Sequence, residues 1–248
     1  MTQPTLSIII VNWNTHDYLR SCLRSIYTHT KDLDFEVFVV DNGSSDDSVT
    51  MTAKDFPSAQ LIRNETNAGF SKANNQAIRQ AKGKYILLLN ADTKVTEQAL
   101  PKMVEFMNKN AKVGILGCKL LNPDGSLQPS GRKFPTLWSQ VIILLKLHNI
   151  FPNLKAIRKY YMLDWPHDVA HQVDQVMGAC FMVRREVFDK VGLLDEEYFI
   201  WFEEVDFCRR ALAAGWQTHF TPEAEVFHEK GASFNQVLSP KKQAWFNK

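Results

Sequence analysis

Hydrophobic positions in the first ninety residues follow two alternating rhythms. Leu6 to Val11 is an almost unbroken apolar run, the pattern of a strand buried on both faces of a parallel sheet. Leu19, Leu23 and Ile26 then recur at helical spacing. Phe35 to Val40 predicts a second strand, and the polar stretch Asp41-Asn-Gly-Ser-Ser-Asp46 suits a turn that caps a helix over 46–56. Ala59 to Ile62 predicts a short strand, and Phe70 to Ala81 a helix stopped at Lys82-Gly83. Tyr85 to Leu89 predicts a fourth strand, with Thr96 capping a helix to about Lys109. Strands alternating with helices in this way imply an α/β fold, an open and mostly parallel sheet with helices on both faces. Ligands on such sheets bind at the carboxyl ends of the strands, here Asn12-Trp13-Asn14, Asp41-Asn42 and Asn90-Ala91-Asp92.

The second half breaks this rhythm. Val113 to Leu121 predicts a strand ending in the turn Asn122-Pro-Asp-Gly125. Residues 125–163 carry six Lys or Arg and no Asp or Glu, mixed with the aliphatic stretch Leu137 to Leu147 and the cluster Arg158-Lys-Tyr-Tyr161. Regular patterns return with a strand over Val176 to Val183, a helix over Arg185 to Val191 and a helix from near Glu203 to Gly215. Trp216 to Thr221 and Glu225 to His228 predict two closing strands. With no repeat and no low-complexity linker, the expectation is a single domain over 1–248 with an insertion at about 125–165.

Composition narrows the classes. The chain is 45% hydrophobic and 23% charged with a formal charge of +2, which gives no global reason to expect nucleic acid as a partner. The four cysteines are far apart and sit among apolar neighbours, so they are expected as buried free thiols. No basic stretch followed by an apolar core opens the sequence, and no apolar run approaches the roughly 18 residues that span a bilayer. A cytoplasmic location is expected, with the inner face of the cell membrane as the place where the basic, apolar insertion would make a peripheral contact.

Gly-rich phosphate loops, the G-x-S-x-G elbow and H-E-x-x-H are absent, which argues against dehydrogenases, P-loop kinases and common hydrolases. Carboxylates and amides at strand ends remain. Asp41 is placed to accept from a nucleobase or ribose, or only to cap its turn. Asp92 is placed to supply an oxygen to a hard cation bridging phosphates, or again only to form a turn. On the helix that begins near Glu203, Val205, Cys208 and Leu212 share an apolar face, and Glu203, Asp206 and Arg210 an opposite polar arc. Glu204 falls at the edge of the apolar arc, where a carboxylate is costly without a purpose and is a candidate general base. Burial would raise its pKa and the helix N-terminus would lower it. His228, at a strand end, is by default a structural histidine and by position a candidate ligand.

Taken in order, these pieces resemble the family 2 glycosyltransferases, particularly the bacterial rhamnosyltransferase-like members. The resemblance covers roughly Ser7 to Ser233. It is carried by Ser7-Ile-Ile-Ile-Val-Asn-Trp-Asn14, Val39-Val-Asp-Asn-Gly-Ser-Ser-Asp46, Asn67-Ala-Gly-Phe70 with Asn74-Asn75, and Leu87-Leu-Leu-Asn-Ala-Asp92. It continues through Gly178-Ala179, Leu194-Asp-Glu196, Phe202-Glu-Glu-Val-Asp-Phe-Cys-Arg209, and His228 with Gly231 and Ser233.

The resemblance implies a GT-A fold and an inverting transfer from a nucleoside-diphosphate sugar, with rhamnose a candidate, to a hydroxyl of a glycan or lipid-linked acceptor of the bacterial surface. Residues 1–95 would form the donor half and 96–248 the acceptor half. Val11, Asn12, Trp13, Asp41, Asn67, Gly69, Asn74, Asn90, Ala91, Asp92 and Gly178 would line the donor. Asp92 and His228 would meet a Mg²⁺ or Mn²⁺, and Glu204 would be the base. Two positions depart from the family pattern: its usual D-x-D is Asn90-Ala91-Asp92 here, and its usual E-D is Glu203-Glu204. A sugar nucleotidyltransferase and a non-catalytic nucleotide-sugar binder are the alternative readings. The first lacks the glycine- and lysine-bearing loop expected after Val11.

Overall fold

The computed structural model describes residues 3–151 and 153–229. Its first part alternates as the hydrophobic pattern predicts: β1 (Leu6–Asn12), α1 (His16–His29), β2 (Phe35–Asn42), α2 (Ser48–Asp55), β3 (Gln60–Asn64), α3 (Phe70–Ile78) and β4 (Tyr85–Leu89). Next come β5 (Thr93–Val95), α4 (Ala99–Lys109) and β6 (Val113–Leu121). The insertion holds β7 (Leu127–Gln128), β8 (Gly131–Arg132), α5 (Leu137–Leu144), α6 (Leu147–Ile150) and α7 (Lys155–Tyr160). The chain then forms β9 (His171–Val173), β10 (Gln175–Val176), β11 (Cys180–Arg184), α8 (Arg185–Val191), α9 (Glu203–Ala213) and β12 (Gln217–His228).

The central sheet runs β3-β2-β1-β4-β11-β6-β12-β5. Its β3-β2-β1-β4 half is parallel, β11 is antiparallel to both neighbours, and β6 and β12 are parallel to each other. Apolar side chains alternate between two cores. Ile8 and Ile10 pack under α1 and α4, whereas Ile9, Phe38 and Val40 pack with α3, α8 and α9. Burial on both faces is why β1 and β4 read as continuous apolar runs. All four cysteines are free and buried, as expected.

Three local expectations are corrected. The helix α4 starts after Gln98, at φ +59°, and not from Thr96, whose hydroxyl instead donates to the Glu225 carbonyl at 2.8 Å. The strand expected over Val176 to Val183 is interrupted, so that Met177 to Ala179 cross between β10 and β11. The two closing strands are one strand, β12, whose register against β6 shifts between Thr221 and Glu225. Beyond that shift β12 also pairs with β5, setting His228 opposite Thr93.

Candidate functional site

The parallel register aligns Asn12 with Asp41 at the carboxyl ends of β1 and β2. Buried Asn12 donates from Nδ2 to Asp41 Oδ1 at 3.2 Å and to Ser44 Oγ at 3.1 Å. The other Asp41 oxygen accepts from the Ser44 amide at 3.1 Å, so Asp41 does cap its own turn while also holding the β1 end. Val11 and Trp13 flank Asn12, each partly exposed.

The next wall is an amide network. Asn42 donates from Nδ2 to Asn67 Oδ1 at 2.8 Å, and Asn67 Oδ1 also accepts from the Gly69 amide at 3.0 Å. Gly69 stands at φ +88°, and a Cβ there would lie 2.8 Å from the Phe199 ring, so only glycine fits. Asn74 is buried and bonds its own helix, donating to the Phe70 carbonyl at 2.9 Å. Asn75 reaches across to the Leu194 carbonyl and to Glu196, tying α3 to the segment that precedes α9. Gly178 faces open space beside Ala179, whose carbonyl accepts the Asn90 amide at 3.0 Å.

Past β4, three predicted residues come together. His228 Nε2 lies 3.4 Å from Asp92 Oδ1 and 3.5 Å from Asn90 Nδ2. The Asp92 and His228 side chains are only 9% and 6% exposed. The pairing of β12 with β5 is what places a residue from position 228 beside one from position 92. Ala91 is buried between Asn90 and Asp92. Gly231 and Ser233 lie outside the described residues.

Gln128 shows nothing in the sequence that marks it, yet it organises this corner. Its Oε1 lies 2.6 Å from His228 Nδ1, while its own Nε2 donates to Asn122 Oδ1 at 2.8 Å. That second bond fixes the amide, so Nδ1 donates its hydrogen to Gln128 and Nε2 is the ring nitrogen that faces Asp92.

On α9 the helical wheel needs correcting. Phe207 and Ala211 are buried along with Val205 and Cys208. At about 100° per residue, these four place the centre of the inward arc near Glu204 and leave Leu212 at its rim. Leu212 is half exposed, and Glu203, expected on the polar arc, is buried. Asp206 and Arg210 do pair on the outer side, at 2.8 Å. Among the described residues, the Oε2 atoms of Glu203 and Glu204 are both enclosed without a hydrogen-bond partner.

Burial, followed by the neighbouring Glu204 charge, pushes the Glu203 carboxyl up to about 8. Burial also raises Glu204, against its own backbone amide and the Arg132 guanidinium, which lower it. The opposition between desolvation and the helix N-terminus is thus won by desolvation. Arg132, on β8, lies over the Tyr161 ring at 5.2 Å, which fixes the start of the insertion beside the carboxylate pair.

The arrangement suits a divalent cation in part. Among the described residues no group of three His, Cys, Asp or Glu gathers as a complete metal site. Asp92 and His228 nevertheless offer one oxygen and one nitrogen, and their 3.4 Å separation approaches the ~3 Å between adjacent ligands on an octahedral ion. Such a two-ligand corner fits a cation that takes its remaining ligands from a diphosphate and water.

The family description Glycosyl transferase family 2 matches residues 7–192. The chain belongs to the family 2 glycosyltransferases. It is 31% identical over 256 residues to the uncharacterized protein y4gI of Sinorhizobium fredii, covering 99% of this chain and 26% of that protein. It is 26% identical over 242 residues to an N-acetylglucosaminyl-diphospho-decaprenol L-rhamnosyltransferase of Mycobacterium tuberculosis, covering 92% of this chain and 77% of that protein. The crystal structure of GalNAc-T7 with UDP, GalNAc and Mn²⁺ superposes with a TM-score of 0.67 at 17% identity, covering 92% of this chain and 44% of that one. The chain therefore spans about a quarter of the Sinorhizobium relative and less than half of this structural neighbour. The architecture of the chain is of the GT-A type.

Proposed function

We propose that this glycosyltransferase moves a sugar, with inversion, from a nucleoside-diphosphate donor to a hydroxyl of a glycan or lipid-linked acceptor. The observation that carries this reading is the approach of Asp92 and His228 at the carboxyl edge of the sheet, on the side where α/β folds take their ligands. Rhamnose from a dTDP donor is the first sugar to test, because a relative with that sugar in its name covers most of the chain.

The Val11–Trp13 strand end and Asp41 hold the nucleoside in this proposal. Asn67, Gly69, Asn74 and Gly178 shape the wall beyond it. Asp92 and His228 hold Mg²⁺ or Mn²⁺, with Asn90 and Ala91 beside them. The cation would neutralise the charge that develops on the departing diphosphate.

Glu204 accepts the acceptor hydroxyl proton as that oxygen bonds to the anomeric carbon. The bond from that carbon to the diphosphate breaks, and its electron pair leaves with the diphosphate. A raised pKa makes Glu204 a better proton acceptor once ionised. Residues 1–95 form the donor half and 96–248 the acceptor and catalytic half, which lends Gly178 and His228 to the donor side.

A thermal-shift panel of UDP, dTDP and GDP sugars, with and without Mn²⁺, tests the donor assignment. One nucleotide class should raise the melting temperature, and more so with Mn²⁺. No shift with any member contradicts it.

A further inference from the structure

The insertion between β7 and β9 turns its apolar side outward. On α5, Leu137, Trp138, Val141, Leu144 and Leu145 fall within about 120° of arc at about 100° per residue. Leu137, Trp138 and Leu144 on this arc are 79%, 73% and 81% exposed. Ser139 points the other way and is buried, where its hydroxyl donates to the Thr136 carbonyl. A solvated helix has the opposite arrangement, with its polar side out. Ile150 and Phe151 extend the exposed apolar surface through α6.

The charge around this surface is mostly positive, with Lys133 and Arg158 paired to Asp174 and Asp164. Residues 125–163 contain six cations and no acidic side chain. Lys146, Lys155 and Lys159 are exposed and have no ionic partner among the described residues. Helix α7, which carries two of them, packs against α5. The described residues contain no helix long and apolar enough to cross a membrane.

We propose that the α5–α6 face docks on the surface of an anionic lipid bilayer, with Leu137, Trp138 and Leu144 entering the acyl boundary and Lys146, Lys155 and Lys159 meeting the headgroups. The apolar arc supplies burial and the cations supply selection for negative charge, the two parts of an interfacial anchor. A second copy of the chain would be equally cationic at this face, so like charges would oppose self-association there.

Co-sedimentation of the full chain with vesicles tests this without reference to sugar transfer. Vesicles of phosphatidylcholine with about a third phosphatidylglycerol should pull the protein down, and pure phosphatidylcholine should do so at least tenfold less. The variant Leu137→Ser/Trp138→Ser/Leu144→Ser should keep its melting temperature and lose at least tenfold in binding. The variant Lys146→Glu/Lys155→Glu/Lys159→Glu should lose on the order of fivefold or more per cation near the surface. Absence of binding to anionic vesicles, or equal binding by the apolar variant, overturns the proposal. So does a dimer in solution that the apolar variant converts to monomer. Transfer to a soluble acceptor is a separate readout, so vesicle binding can fail while the catalytic reading stands.

Discussion

His228 Nδ1 lies 2.6 Å from Gln128 Oε1, and this contact decides which ring nitrogen faces Asp92. Replacing Gln128 with Leu removes the acceptor and frees the ring to turn or change tautomer. Mn²⁺ affinity, measured by titration calorimetry in the presence of nucleoside diphosphate, should fall about 10- to 100-fold. Unchanged affinity would show that His228 needs no such orientation.

Buried Glu203 predicts a pH signature. Burial pushes the Glu203 carboxyl up to about 8 in the folded chain, against the ordinary 4.5 of a glutamate. The folded state therefore holds more protons than the unfolded chain between those values, and stability is lost as pH rises through that window. Glu203→Gln removes this loss, so its melting temperature should gain on the wild type steadily from about pH 5 to pH 8. Parallel curves for the two proteins would contradict the assignment.

Arg132 shapes the rate. Glu203 stays protonated up to about 8, so it carries no charge while Glu204 ionises, and Glu203→Gln should leave the acidic limb of the pH–rate profile in place. Arg132→Met removes a charge that lowers Glu204 and should move that limb to higher pH. An unmoved limb in Arg132→Met would exclude this electrostatic account.

Gly69→Ala should destabilise the fold by about 1–3 kcal/mol, because alanine is strained at φ +88°. Its Cβ also meets the Phe199 carbonyl at 2.9 Å, a backbone atom that itself accepts from the Phe70 amide. A chemical denaturation curve reads the difference. A variant as stable as wild type would mean that the Phe199 segment moves aside at no cost.

Strand ends were the legible part of the site because their chemistry is local. Asp41, Asn90 and Asp92 each follow an apolar run, and an α/β pattern says which end of that run collects ligands. Gln128 was not legible, since its partner is a hundred residues away and glutamine carries no periodic signal. Helical spacing puts Glu203 on the outer arc, opposite Val205, Cys208 and Leu212. Counting Phe207 and Ala211 centres the inward face near Glu204 but leaves Glu203 about 110° from it at about 100° per residue, so spacing within the helix does not account for its burial. Thr96 looked like a cap by type, but β12 had claimed its hydroxyl through the Glu225 carbonyl. Tertiary contacts of that kind leave no trace in local spacing.

The central claim is that Glu204 takes the proton in a transfer whose donor is held elsewhere. Glu204→Gln nearly preserves shape and removes only the base, so one comparison separates the two roles. With donor and acceptor saturating, product formed by the variant should fall by about two to four orders of magnitude, while nucleoside diphosphate binding in the presence of Mn²⁺ stays within a few-fold of wild type. Wild-type turnover by Glu204→Gln would contradict the account.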